Sequence, residues 1–181
     1  MRKEVEVKAR IFDKKILEEK LKDLGCSLSE PVRQEDAIYV NHNHPFDQHV
    51  PGNQYLRIRQ SNNQTLFTVK QPLSNDLDAI EHEVAVDDAD EMREILLMLG
   101  YREEIQVKKY RRKAQYGEYE ICLDDVDTLG SFIEVEKITD EEDSEAVQNE
   151  LFEFLICLGI RKEDRIEQGY DTLVYLEQKK N

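Results

Sequence analysis

The chain has 181 residues, 39% hydrophobic and 36% charged, enough apolar side chains for a folded core, and its length predicts one domain spanning residues 1–181. Against 25 Lys and Arg stand 40 Asp and Glu, a net charge of −15 that repels nucleic-acid backbones and anionic membranes, so neither is expected as a partner. No run approaches the roughly 18 apolar residues of a membrane helix, and nothing behind Met1-Arg2-Lys3-Glu4 resembles a signal peptide, so a cytoplasmic protein is expected.

Residues 2–11 alternate, with Glu4, Glu6 and Lys8 on one face of a strand and Val5 and Val7 on the other. Asp13 then caps a helix that lines up Ile16, Leu17, Leu21 and Leu24 before Gly25. A strand at 33–40 carries Asp36 and Tyr39; Tyr39 reads first as a structural residue, with a place at a channel mouth, positioning water for a hydrolase, as the alternative. Residues 41–53 have loop composition, and His42, His44 and His49 within them read as loop residues, not as metal ligands. Strands at 54–60 and 64–71 set Arg57 and Arg59 against Leu56 and Ile58, then Thr68 and Lys70 against Phe67 and Val69.

In the strand 78–86, Glu81 and Glu83 alternate with Ile80, His82 and Val84, and parity assigns His82 to the apolar core. Asp88, with Glu91 three residues on, opens a second helix bearing Met92, Ile95, Leu96 and Leu99 before Gly100. Strands at 103–115, 118–126 and 131–138 follow; Glu118, Glu120 and Asp124 oppose Tyr119, Ile121 and Leu123, and Glu134 and Glu136 oppose Ile133 and Val135. Ser144 opens a third helix with Val147, Leu151, Phe154, Leu155 and Leu158 before Gly159, and a short C-terminal helix contains Tyr170, Leu173 and Tyr175, with Tyr170 as a tether. Cys26, Cys122 and Cys157 are odd in number and unpaired in spacing, which predicts buried free thiols.

One such strand, alone, is a solvated face. Repeated through the chain, the pattern demands more. The apolar faces need amphipathic helices to cover them, so the charged faces lie on the opposite side of the sheet. Either an open sheet turns that side to water, or the sheet closes and the charged faces meet across a lumen. Mixed carboxylates and Lys/Arg enclosed together need partners. A divalent cation with a polyanion supplies both, carboxylates for Mg²⁺ or Mn²⁺ and cations for phosphate oxygens.

Particular strings go further. Glu4-Val5-Glu6-Val7-Lys8 resembles the Glu-x-Glu-x-Lys motif of the CYTH superfamily, the triphosphate tunnel metalloenzymes that include class IV adenylyl cyclases and thiamine triphosphatases. Leu56-Arg57-Ile58-Arg59, Thr68-Val69-Lys70, Glu81-His82-Glu83, Val107-Lys108-Lys109-Tyr110-Arg111 and the run from Leu123 to Glu136 agree in order and spacing, so the resemblance covers about residues 2 to 175. It implies an α+β fold, an eight-stranded antiparallel closed β-tunnel open at both ends with helices packed outside. It also implies that Glu4, Glu6, Asp124, Glu134 and Glu136 bind Mg²⁺ or Mn²⁺, and that Lys8, Arg57, Arg59, Lys70, Lys109 and Arg111 hold the triphosphate. Lys8, Lys70 and Arg111 are the expected catalytic cations, with Glu81, Glu83 and Tyr39 facing the lumen. The resemblance points first to conversion of ATP into cyclic AMP and pyrophosphate. Hydrolysis of thiamine triphosphate, tripolyphosphate or a nucleoside triphosphate is the alternative, and a non-catalytic triphosphate-binding module is the third. A homodimer is compatible with all three.

Overall fold

The computed structural model describes residues 3–42, 46, 50, 52–62 and 64–180; His44 and His49 lie outside them. Strands β1 (Lys3–Arg10), β2 (Val32–Asn41), β3 (Tyr55–Ser61), β4 (Gln64–Pro72), β5 (Asp78–Val86), β6 (Tyr101–Tyr116), β7 (Tyr119–Val126) and β8 (Gly130–Thr139) form one antiparallel sheet. Its order is β5-β4-β3-β2-β6-β7-β8-β1, and β1 pairs back onto β5 through Glu4↔Ala79 and Val5↔Asp78, which closes the sheet into an eight-stranded barrel. The closure is short. Farther along the same edge of β1, Lys8 and Ala9 pair with Ile166 and Arg165 of a two-residue strand, β9 (Arg165–Ile166), which strand periodicity could not reveal at that length.

Helices α1 (Lys14–Asp23), α2 (Ala89–Met98) and α3 (Ser144–Cys157) start and stop where their end chemistry dictates. The Asp13 carboxylate accepts from Ile16 N at 3.1 Å, and that of Asp88 accepts from Asp90 N and Glu91 N at 3.0 Å each. Gly25, Gly100 and Gly159 follow the three helices with φ of +80°, +86° and +88°, a region open to glycine without strain. At α3 the cap is Asp143, whose carboxylate accepts from Ala146 N at 2.9 Å. Ser144, the expected cap, is instead buried and bonded by Lys3 Nζ, because a buried ammonium needs that hydroxyl more than the exposed turn does.

The wall of the barrel has two faces. Val5, Val7, Ile121, Leu123, Ile133 and Val135 pack outward against Leu17 and Leu21 of α1 and Val147, Leu151 and Leu155 of α3. A smaller outer cluster sets Leu56, Ile58 and Tyr39 against Leu96 of α2. The fourth helix, α4 (Tyr170–Gln178), lies differently: Tyr170 and Val174 pack with Ile38, Val107, Val126 and Phe132, so the start of α4 reaches the cavity lining. His82 is exposed, as is Val84 at 57%, because no helix covers the outer face of β5; parity placed His82 on the correct face but could not supply its cover.

Candidate active site

The inner face encloses a cavity of ≈ 680 Å³ into which β1, β2, β3, β4, β5, β6 and β8 send charged side chains. Pairing register sets the rows: Glu6 stands opposite Glu136 and Lys8 opposite Glu134 across β1 and β8, and Glu120 stands opposite Glu136 from the β7 side. Carboxylate oxygens of Glu4, Glu6 and Glu136 all lie within 4.8 Å of one another. Burial first, and Glu81 next, push the Glu4 carboxyl up to about 7; burial and then Glu4 push Glu136 well above the carboxylate range. Three converging carboxylates, with Glu4 and Glu136 held back from ionisation, fit a hard divalent cation, which removes the mutual repulsion and supplies the missing countercharge. Glu120, Cys122 and Glu136 form a second group of the same closeness, sharing Glu136 with the first.

Deeper in, the charges compensate one another. Arg111 donates Nε to Asp124 Oδ1 at 2.7 Å and Nη2 to Asp124 Oδ2 at 2.5 Å, and also contacts Glu134. Lys8 Nζ stands 3.1 Å from Glu134 and 3.7 Å from Glu6, and Lys109 Nζ 3.4 Å from Asp124. Burial works against ionisation of Glu134, but Arg111 and Lys8 outweigh it and hold the carboxyl well below its usual range; at Asp124 Lys109 and Arg111 likewise outweigh burial and lower the carboxyl. Of the five carboxylates expected to bind metal, the structure therefore gathers Glu4, Glu6 and Glu136, and places Asp124 and Glu134 apart, paired with cations.

On β3, β4 and β5, Lys70 Nζ reaches Glu81 at 2.9 Å, and Arg57 Nη2 lies 3.7 Å from Glu81, 3.6 Å from Glu83 and 3.2 Å from Thr68 Oγ1. Lys70 and Arg57 overcome burial and draw the Glu81 carboxyl down to about 2. Arg59 is committed elsewhere: it forms a two-point pair with Asp36, Nε to Oδ1 and Nη2 to Oδ2, both at 2.7 Å. Lys8, Arg57, Arg59, Lys70, Lys109 and Arg111 all line the one cavity, together with Glu81 and Glu83.

Tyr39 is the exception among the expected lumen residues. It is 1% exposed on the outer face, where its hydroxyl donates to Glu103 at 3.1 Å. Two-residue alternation explains this, since Asp36 and Ile38 line the cavity and their odd neighbour must face away. Asp36 and Tyr170 are lumen residues to which sequence reasoning gave no site role, whereas Thr68 stands in the row with Lys70 where alternation put it. The parity of Asp36 with the cavity row was a usable signal; Tyr170 offered none, because its position depends on a helix returning from the far end of the chain. Lys8 donates to the Gln168 carbonyl at 3.2 Å just before that helix.

The sequence profile of the CYTH domain matches residues 2–170. A Methanocaldococcus jannaschii protein, provisionally named an adenylate cyclase, is 33% identical over 170 residues, covering 92% of this chain and 95% of its own. A solved Pyrococcus horikoshii protein is 28% identical with a TM-score of 0.77, covering 98% of this chain and 99% of its own. A solved Hippeastrum protein, provisionally named an adenylyl cyclase and described as having a dominant triphosphatase activity, is 16% identical with a TM-score of 0.62, covering 98% of this chain and 96% of its own. With its motif strings in order, its barrel closed and its profile match nearly end to end, the chain belongs to the CYTH domain family.

Proposed function

We propose that this chain is a metal-dependent enzyme acting on triphosphates, and that its reaction is the class IV adenylyl cyclase one, ATP to cyclic AMP and pyrophosphate. CYTH proteins bind triphosphates and depend on metal, and the M. jannaschii relative carries the cyclase name provisionally. The observation that carries the proposal is the pairing, within one cavity, of the Glu4, Glu6 and Glu136 cluster with the cations Lys8, Arg57, Lys70, Lys109 and Arg111. Such a lining suits phosphoryl or nucleotidyl transfer, which needs charge neutralisation and in-line placement more than a covalent partner.

In this reading Glu4, Glu6 and Glu136 hold Mg²⁺ or Mn²⁺, which when bound draws charge from the phosphate oxygens. Lys70 and Arg57 then exchange part of their contact with Glu81 and Glu83 for phosphate oxygens, and Lys8, Lys109 and Arg111 receive the polyphosphate from the other side. The ribose 3′-hydroxyl loses its proton to solvent and bonds to the α-phosphorus; the bond from that phosphorus to the bridging oxygen breaks, and pyrophosphate leaves among the cations. Asp124 and Glu134 hold Arg111 and Lys8 in place; direct metal binding by them is the less favoured role. Arg59, tied to Asp36, shapes the wall beside Arg57.

Hydrolysis is the second reading, favoured by the triphosphatase described for the Hippeastrum protein of the same fold. The same cations serve if water attacks the terminal phosphorus. Incubation with ATP, thiamine triphosphate and tripolyphosphate under Mg²⁺ and Mn²⁺, with products identified, separates the two. Cyclic AMP with equimolar pyrophosphate supports the cyclase; phosphate without cyclic AMP moves the chain to the triphosphatases. Tight binding with no turnover on any substrate leaves a binding module.

A further inference from the structure

Glu6 sits where the edge of β1 changes partners. Glu4 and Val5 pair with β5, and Lys8 and Ala9 pair with β9. Between these two pairings Glu6 N donates to the Leu77 carbonyl at 2.9 Å, the last backbone bond of the closure. The Glu6 carbonyl is met instead by a side chain: Gln148 of α3, 5% exposed, donates Nε2 to it at 3.2 Å and approaches the Leu77 carbonyl at 3.4 Å. Asn75 holds that amide from both ends, its Nδ2 donating to Gln148 Oε1 at 3.1 Å and its Oδ1 facing Gln148 Nε2 at 3.1 Å.

We infer that Gln148 is a positioning residue for the carboxylate cluster: its amide stands in for the strand partner that β1 lacks at Glu6, and so fixes the backbone from which Glu6 reaches Glu4 and Glu136. This rests on the metal reading above. The physical reason is geometric. A buried carbonyl left without a donor turns or shifts to find one. A shift of the Glu6 peptide moves its carboxylate by a like amount within a group whose oxygens already lie inside 4.8 Å. Partners that orient a metal-ligating side chain commonly set affinity by about 10–100-fold, and Gln148 acts on the same ligand through its backbone.

The test is a Mn²⁺ titration of the purified full chain, read from the electron paramagnetic resonance of the free ion, with thermal unfolding run alongside. Gln148→Met removes the donor at similar volume; Gln148→Ala removes the same donor and carries the test if the methionine variant does not fold. Val147→Ala, on the same helix and buried at 1% exposure, is the control for loss of packing alone. The expected result is Mn²⁺ affinity lowered about tenfold or more by loss of Gln148, with Val147→Ala binding Mn²⁺ as the parent does. Parental affinity in the Gln148 variants, or an equal loss in Val147→Ala, overturns the inference and leaves the metal reading standing. A parent that binds no Mn²⁺ overturns the metal reading, and the inference with it.

Discussion

Lys8 Nζ stands 4.1 Å from the centroid of the Tyr170 ring, and Lys109 Nζ stands 4.7 Å from the same ring, so α4 is docked onto cations that line the cavity. Edge-on contact with Phe132 at 5.2 Å between centroids completes the seat. The Tyr170 hydroxyl is buried and faces the Asp124 carboxylate without a well-formed hydrogen bond among the described residues. Tyr170→Phe should therefore change stability by less than about 1 kcal/mol, whereas Tyr170→Ala should cost about 3–5 kcal/mol through the lost ring and the cavity left behind. Urea unfolding of the two variants measures both.

The acidic cluster makes stability depend on pH and metal together. Burial, then Glu81, raise the Glu4 carboxyl from 4.5 to about 7, so the folded chain keeps a proton that the unfolded chain releases. That contribution is fully present below pH 4.5 and is lost as pH rises through about 7. Glu81 has the opposite sign: drawn down to about 2, it contributes above its ordinary 4.5 and loses that contribution as pH falls towards 2. The metal-free protein should melt at a lower temperature at about pH 8 than at about pH 5, and Mn²⁺ should raise the melting temperature more at the higher pH. Equal shifts at both values would contradict the cluster's role as a cation site.

Glu136 is the carboxylate shared by both three-residue groups. Glu136→Gln should reduce metal-dependent turnover by about 100-fold or more while raising the stability of the metal-free chain at neutral pH, since the amide is neutral without having to take up the proton that burial and Glu4 force on the Glu136 carboxyl. Steady-state rates across a Mn²⁺ series, with melting curves in chelator, check both signs.

Asp36 and Arg59 are 5% and 9% exposed and meet at two points. Asp36→Asn or Arg59→Met should each cost about 3–5 kcal/mol by stranding the other charge, and the paired replacement should cost much less than their sum. A double-mutant cycle in urea gives the coupling.

Thiol chemistry should separate the three cysteines. Cys157 is exposed, whereas Cys26 and Cys122 are buried and burial pushes both thiols up. Ellman's reagent should titrate about one thiol per native chain and all three after denaturation; the sequence reading of Cys157 as buried is corrected by its place on the outer side of α3.

Strand and helix positions were legible because each carries its own periodicity and its own end chemistry. Asp13, Asp88, Gly25, Gly100 and Gly159 act within a turn or two of themselves, so a local reading suffices. Where a residue's role depended on a neighbour distant in sequence, local reading failed: His82 lacks a helix to cover it, Ser144 serves Lys3, and Tyr170 packs against residues of β2, β6, β7 and β8. The motif strings named the charged residues of the cavity, but a string does not say which carboxylate faces a cation and which faces another carboxylate.

The sequence by itself determined which side chains share a face, because two-residue alternation is a property of the strand backbone alone. Charge, apolar cover and the Glu4-to-Lys8 motif were all present before any strand had a partner. Only the tertiary structure decided how those faces meet: the register that sets Glu6 against Glu136 and Arg111 against Asp124, and the closure of β1 on β5 that turns a charged surface into an enclosed cavity. Coulombic interaction depends on distance and on excluded water, and neither exists until the barrel has closed.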